Sequence, residues 1–224
     1  MKKSEGILSS LSYKYVMALA GIFLMLYLIF HLATNLLMLA GDGGAAFRRA
    51  VAFLTGSPGV KTMEYVLFAG FLIHIIVGVI LQVRNYSARP IKYRTALRTE
   101  TAPFSRYMFH TGVIIFVFLI LHLLNFFFVK LGWAALPEGV YDRHDFYSMA
   151  VVLFSNPWYS AVYLVSFVFL GFHLAHAFQS AFQSLGLNHT KYTPVIKVIG
   201  VVYALAISIG FAIIPLYFLF VHSP

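Results

Sequence analysis

The chain has 224 residues, 61% of them hydrophobic and 10% charged, with a mean hydropathy of +0.85 and a formal net charge of +9. A water-soluble domain cannot hide that much apolar surface, so the composition points to an integral membrane protein. The lack of cysteine excludes disulfides, thiolate-held iron–sulfur clusters and covalently attached c-type haem within the chain.

Five apolar runs, each near or above the roughly 20 residues that cross a bilayer, predict an all-α, integral-membrane bundle of five transmembrane helices forming one domain over residues 1–224. Span I, about residues 15–40, contains "LIFHLATNLL" with His31; it is too long for a removed signal peptide and lacks the small-residue cleavage pattern. "AAFRRAVAFL" (Ala45–Leu54) then reads as a short helix in the outer interface, ended by Gly56-Ser57-Pro58-Gly59. Span II, about 62–84, carries Gly70, His74 and Gly78 at i, i+4 and i+8, one stripe of a helix. A basic connection, "RNYSARPIKYRTALRTETAPFSR", leads to span III, about 107–130, with His122. A second outer helix is expected over "DFYSMAVVLF" (Asp145–Phe154), broken by Asn156-Pro157 and bracketed by Trp133 and Trp158 at aromatic-belt depth. Span IV, about 158–185, carries His173 and His176, and span V covers about 195–221. No tandem repeat of fixed period is evident, although "IFHLATN", "LIHIIVG", "ILHLLNF" and "GFHLAHA" look locally alike.

Charge placement predicts orientation. Eleven basic residues (Lys2, Lys3, Lys14, Arg84, Arg89, Lys92, Arg94, Arg98, Arg106, Lys191 and Lys197) fall on one side, and five (Arg48, Arg49, Lys61, Lys130 and Arg143) on the other. The positive-inside bias puts the N-terminus in the cytoplasm, which suits a multi-pass protein of the cell's inner (cytoplasmic) membrane. Five of the seven acidic residues, Asp42, Glu64, Glu138, Asp142 and Asp145, fall outside, in agreement. The net charge is then topogenic, and no nucleic-acid partner is expected.

Of nine histidines, His31, His74, His122 and His173 each lie well inside a different span. One alone would be accounted for equally well by a hydrogen-bonded packing role. Four on successive helices resemble the way a bundle ligates a metal or haem from facing helices. Spans I and III run outward and place His31 and His122 toward the outer leaflet. Spans II and IV run inward and place His74 and His173 at or toward the inner one, roughly 5–12 Å away in height. Two pairs at two depths suit two stacked bis-histidine haems, whereas zinc wants three or four ligands at one level.

Gly70 and Gly78, above and below His74, would let a flat macrocycle lie close to the helix. Gly21 and Gly112 each precede a histidine by ten residues, about 15 Å along the helix, where the inner haem would pass. Small-residue helix packing explains any single glycine as well. His176, three residues from His173 and on roughly the same face, competes with it as ligand or bonds a haem propionate. His110 is expected at the surface or on a propionate, and His144, His189 and His222 in solvent. Glu64, at the outer end of span II, is the best-placed carboxylate for proton donation to a quinone; an interfacial charge that merely ends the span is the alternative. Thr34 and Asn35, one turn beyond His31, are candidates for contacts at the outer haem's edge.

Taken in order, "KYVMALAGIFLMLYLIFHLATNLL", "EYVLFAGFLIHIIVGV", "RYMFHTGVIIFVFLILHLLNFFF", "FHLAHAFQSAFQSLGLNHTKYTP" and "GFAIIPLYF" resemble the dihaem cytochrome b (b558-type) membrane-anchor subunit of succinate dehydrogenase and fumarate reductase, over nearly the whole chain. The resemblance implies two haem b groups with axial ligands His31, His74, His122 and His173. It pairs His74 with His173 near the cytoplasm and His31 with His122 farther out, and selects His173 over His176. It further implies an iron–sulfur subunit and a flavoprotein subunit as partners, the latter holding the dicarboxylate chemistry, and a membrane quinone, with menaquinone preferred. The basic connection would dock the iron–sulfur subunit. Two rival readings fit less well: the cytochrome b of quinol:cytochrome c reductases takes two histidines from each of two helices, and a proton-coupled transporter would show broken helices and partnered charges.

Overall fold

A computed structural model describes residues 9–87 and 107–221. Most of the basic connection, together with His222, lies outside the described residues. Among those described, every regular element is helical. The helices are α1 (Ser10–Leu36), α2 (Ala45–Gly56), α3 (Pro58–Ser87), α4 (Met108–His122), α5 (Phe128–Lys130), α6 (Phe146–Ser155), α7 (Pro157–Ser184) and α8 (Thr193–Phe220). A π turn, Leu123–Phe127, joins α4 to α5 so that Met108–Lys130 runs as one span. Five helical segments are long and apolar enough to cross a membrane, as expected, and the chain is a multi-pass membrane protein by that measure. The end of the bundle where α1 begins is called here the near end, and the opposite one the far end.

The local chemistry sets the boundaries. Ser9 caps α1 by accepting from the Ser12 amide at 3.1 Å. Asp145 and Asn156 cap α6 and α7 in the same way, at 3.2 Å to the Ser148 amide and 2.9 Å to the Trp158 amide. The two short helices predicted in the outer loops are both present, at the far end, as α2 and α6. Each turns into the next span at a single residue: Ser57 (ψ 123°) before Pro58, and Asn156 (ψ 118°) before Pro157. A residue before proline is driven out of the helical region, and proline then starts the new helix without losing a needed donor. The result is a sharp corner that folds α2 and α6 over the bundle's end. Gly44, at φ 84°, enters α2 beneath Tyr147, where a Cβ would run into that ring.

The two lids are tied together. Arg48 of α2 donates from Nε and Nη2 to both carboxylate oxygens of Asp145, each at 2.9 Å. The Asp145 carboxyl is pushed up by partial burial, but hydrogen bonds from Arg48 and Ser148 outweigh this and hold it below its usual value.

Helix adjacency makes a ring in the order α3, α1, α7, α4, with α8 packed outside against α7 and α1. Tyr203 of α8 fixes that contact by donating to the Met25 carbonyl at 2.7 Å. Between α3 and the α4–α5 span the ring is closed at the far end by side chains. The Phe68 and Phe127 rings lie 4.9 Å apart, and Lys130 Nζ is 3.1 Å from Glu64 Oε2. In such a ring α3 and α7 stand across one diagonal, and α1 and α4 across the other.

A structural duplication also emerges that no fixed sequence period revealed. In each half a span with glycine and histidine ten residues apart leads to a far-end helix, a proline corner, and a span with its histidine sixteen residues after the proline. The offset between halves is 91 for the first part (21 to 112, 31 to 122) and 99 for the second (58 to 157, 74 to 173). The longer far-end loop of the second half breaks the period.

Candidate functional site: two histidine pairs across the bundle

The four histidines singled out in the spans meet as two pairs, each across a diagonal of the ring. His31 of α1 faces His122 of α4, with ring centres 5.9 Å apart and planes inclined at 82°. His74 of α3 faces His173 of α7 at 6.3 Å and 72°. The two pairs sit at different depths. Gly21 abuts His74 (3.8 Å from a Cβ position to Cε1), and Gly112 abuts His173 (3.6 Å). His31 and His122 each follow those glycines by ten residues, so the pairs are separated by about 15 Å along the helices. This exceeds the 5–12 Å anticipated from apolar runs. The reason is that α3 starts at Pro58, ahead of its apolar run, which sinks His74 deeper from the far end.

The surroundings of the pairs differ. Around the far-end pair, Tyr27 stacks on His31 at 5.3 Å and Phe211 approaches it at 5.6 Å. Phe118, Phe126 and Tyr163 surround His122 at 5.9, 5.3 and 6.2 Å. The near-end pair instead has Gly21, Gly112 and the buried Thr111 against its rings.

Hydrogen bonding follows the same division. Thr111 Oγ1 lies 3.3 Å from His173 Nδ1 and donates to the Met108 carbonyl at 2.9 Å. Asn35 Nδ2 lies 3.3 Å from His31 Nδ1 and donates to the His31 carbonyl at 2.6 Å. Nδ1 of His74 and Nδ1 of His122 are buried without a hydrogen-bond partner. Thr34, proposed beside Asn35, is turned back onto its own helix, donating to the Phe30 carbonyl at 3.0 Å.

The donor set accepts an axially ligated metal. Two imidazoles on opposite sides of one ion, with metal–nitrogen bonds of about 2 Å, would have ring centres about 6.4 Å apart. Both observed separations come close to that. Among the described residues no three histidine, cysteine or carboxylate side chains cluster, so the arrangement offers pairs and not a tetrahedral cage. The missing Cβ atoms at Gly21 and Gly112 let the near-end rings lie flat against the two helices, at ordinary contact distance.

Gly70 and Gly78, on the His74 stripe, lie against α1: their Cβ positions are 2.9 Å from Phe23 and 3.5 Å from Met17. They permit close helix approach along the same face. His176 is half-buried one turn nearer the near end than His173. His110, His144 and His189 are exposed, and His144 lies 3.4 Å from Asp142.

Three features escaped sequence reasoning. Lys130 is the partner of Glu64; its lysine signal was visible, but the pairing joins two helix ends 66 residues apart. Thr111 contacts His173, whereas Asn35, expected near the outer pair, contacts His31. Finally, a far-end cavity of about 390 Å³ opens between the π turn, α6 and the start of α7, lined among others by Leu124, Asn125, Met149, Leu153, Asn156 and Tyr159. Asn125 is three residues beyond His122 and donates to the Tyr163 hydroxyl at 3.2 Å. A π turn sitting beside a ligand-like histidine and a mainly apolar cavity is a common mark of a functional region.

No family model, curated protein or solved structure matches the chain.

Proposed function

We propose that the chain is the membrane-anchor cytochrome b of a succinate:quinone oxidoreductase, carrying electrons through two bis-histidine b haems between an iron–sulfur subunit and a membrane quinone, with menaquinone preferred. The observation that carries the reading is the meeting of four histidines from four helices as two diagonal pairs at two depths. Bound haem would supply single-electron transfer, since two histidines per iron leave no open coordination position.

The chain's own residues would do the rest. His74 and His173 hold the near-end group, and His31 and His122 the far-end one. The aromatic rings around the far-end pair exclude water and fix the imidazole planes. With the N-terminus in the cytoplasm, as the basic residues argue, the near end faces the soluble iron–sulfur and flavoprotein subunits, and electrons cross toward the far end. There a quinone ring would take the cavity beside His122, with Asn125, Asn156 and Tyr159 as hydrogen-bonding groups and apolar walls for the isoprenoid tail. Glu64, ion-paired with Lys130 at the same end, is the carboxylate assigned to proton exchange with the quinone.

A reduced-minus-oxidised spectrum of the purified chain tests the reading: two b-type haems are expected. A chain that folds, inserts and binds no haem would favour the transporter alternative.

A further inference from the structure

The near-end pair contains a proton-placing contact that the ligand assignment does not use. Thr111 is buried, and its hydroxyl touches two groups: it donates to the Met108 carbonyl at 2.9 Å, and lies 3.3 Å from His173 Nδ1. A carbonyl oxygen can only accept, so the hydroxyl proton is committed to Met108. The hydroxyl therefore faces Nδ1 with a lone pair, and Nδ1 must bring the proton. A neutral imidazole has one N–H, so His173 is held as the Nδ1–H tautomer with the lone pair on Nε2. Gly112, the next residue, clears the space beside the same ring: its Cβ position is 3.6 Å from His173 Cε1 and 4.0 Å from Nδ1.

The far-end pair is set the opposite way. Asn35 Nδ2 reaches the His31 carbonyl at 2.6 Å, which requires an NH₂ group there, and the same group points at His31 Nδ1. His31 Nδ1 is thus an acceptor, and its proton is on Nε2.

We propose that Thr111 is a positioning residue that presets His173 as an Nε2 ligand and, by accepting from Nδ1–H, raises the electron donation of that imidazole to the near-end iron. The inference rests on the dihaem reading given above. An acceptor on the far nitrogen of a ligating imidazole fixes tautomer and ring orientation and makes the ligand more basic, and its loss typically weakens metal retention 10–100-fold. A more donating ligand favours the ferric form, so the acceptor holds the near-end potential down. The equivalent device is missing from His31, whose neighbour donates where Thr111 accepts.

The test uses the full-length, haem-loaded chain and the variants Thr111→Val, Thr111→Ser and Thr111→Ala. Each haem is followed by potentiometric titration and by the ferric electron paramagnetic resonance signal, with the near-end signal assigned by its loss in His74→Ala. Thr111→Val, which keeps shape and removes the hydroxyl, is expected to raise the near-end potential, shift that haem's resonance and lower its retention about tenfold. The far-end haem is expected to stay unchanged, and Thr111→Ser to restore the wild-type near-end values. Thr111→Ala gives the same direction as valine and serves if the valine variant does not accumulate.

An unshifted near-end potential in the hydroxyl-free variants would overturn the proposal. So would equal shifts of both haems, or a serine variant that behaves like valine, because each shows a packing role alone. A wild-type chain without b haem would instead defeat the dihaem reading, and that outcome is seen before any variant is made.

Discussion

At the near end, His74 and His173 lie among small groups, with bare glycine faces against both rings and a threonine hydroxyl on one Nδ1. At the far end, His31 and His122 are enclosed by five aromatic rings, and an asparagine amide points at one Nδ1. Each pair takes one histidine from each duplicated half, so the difference is one of finishing. The near-end site has glycine faces against its rings and, on the reading above, a proton fixed on His173 Nδ1. The far-end site has a walled interior and a proton that must move before Nε2 of His31 can bind a metal.

The comparison can be broken most sharply through the ligands. His122→Ala or His31→Ala is expected to remove the far-end haem and spare the near-end one, and His74→Ala or His173→Ala the reverse, as read from haem content and the split of the α-band. Loss of both haems from a folded variant would show that the pairs are not independent.

Next in size is the glycine contrast. Alanine at position 112 would meet His173 at an ordinary contact distance of 3.6 Å, so the chain should still fold. Leucine at position 21 or 112 would fill the flat surface, and overpacking of this kind costs about 1–3 kcal/mol. Most of the near-end haem should be lost while the far-end spectrum is kept.

Asn35→Leu separates the sites in a third way. It removes a hydrogen bond worth about 0.5–1.5 kcal/mol, so the haem-free chain should melt earlier. It also frees His31 Nδ1, so far-end haem retention should not fall. A loss of far-end haem in this variant would show that Asn35 supports the ligand instead of holding the wrong proton.

The smallest effect is expected at the lids. The Arg48–Asp145 pair is partly exposed, so solvent screening limits it to about 0.2–1 kcal/mol. The Asp145 carboxyl titrates below its unfolded value. The stabilisation is therefore present above the unfolded pKa and lost as pH falls through the folded one. Asp145→Asn should melt slightly below wild type at neutral pH, and the two should converge in acid. Neither haem spectrum should change.

Much of this arrangement was legible in the sequence because membrane spans advertise themselves by length and apolarity. Histidine is also rare enough in hydrocarbon that four on successive spans stand out. The two lid helices were legible from their breakers, Ser57-Pro58 and Asn156-Pro157. The contacts that distinguish the pairs were not. Thr111 is an unremarkable polar residue on an apolar helix; Asn35 was expected near the outer pair, but the value of both depends on which neighbour the hydroxyl or amide meets. Gly70 and Gly78 shared the His74 stripe, but which helix that stripe would meet was set by the ring order of the bundle. The π turn shifts the helical phase after His122, which a 3.6-residue period cannot anticipate. The duplicated halves were hidden by eight extra positions in one loop.

The central claim is that the two histidine pairs are two haem sites. Haem content by the pyridine haemochrome method, referred to chain concentration in the purified full-length protein, tests it most directly. Two non-covalent b haems per chain are expected. A folded chain holding none, or holding one that survives both His74→Ala and His122→Ala, would contradict it.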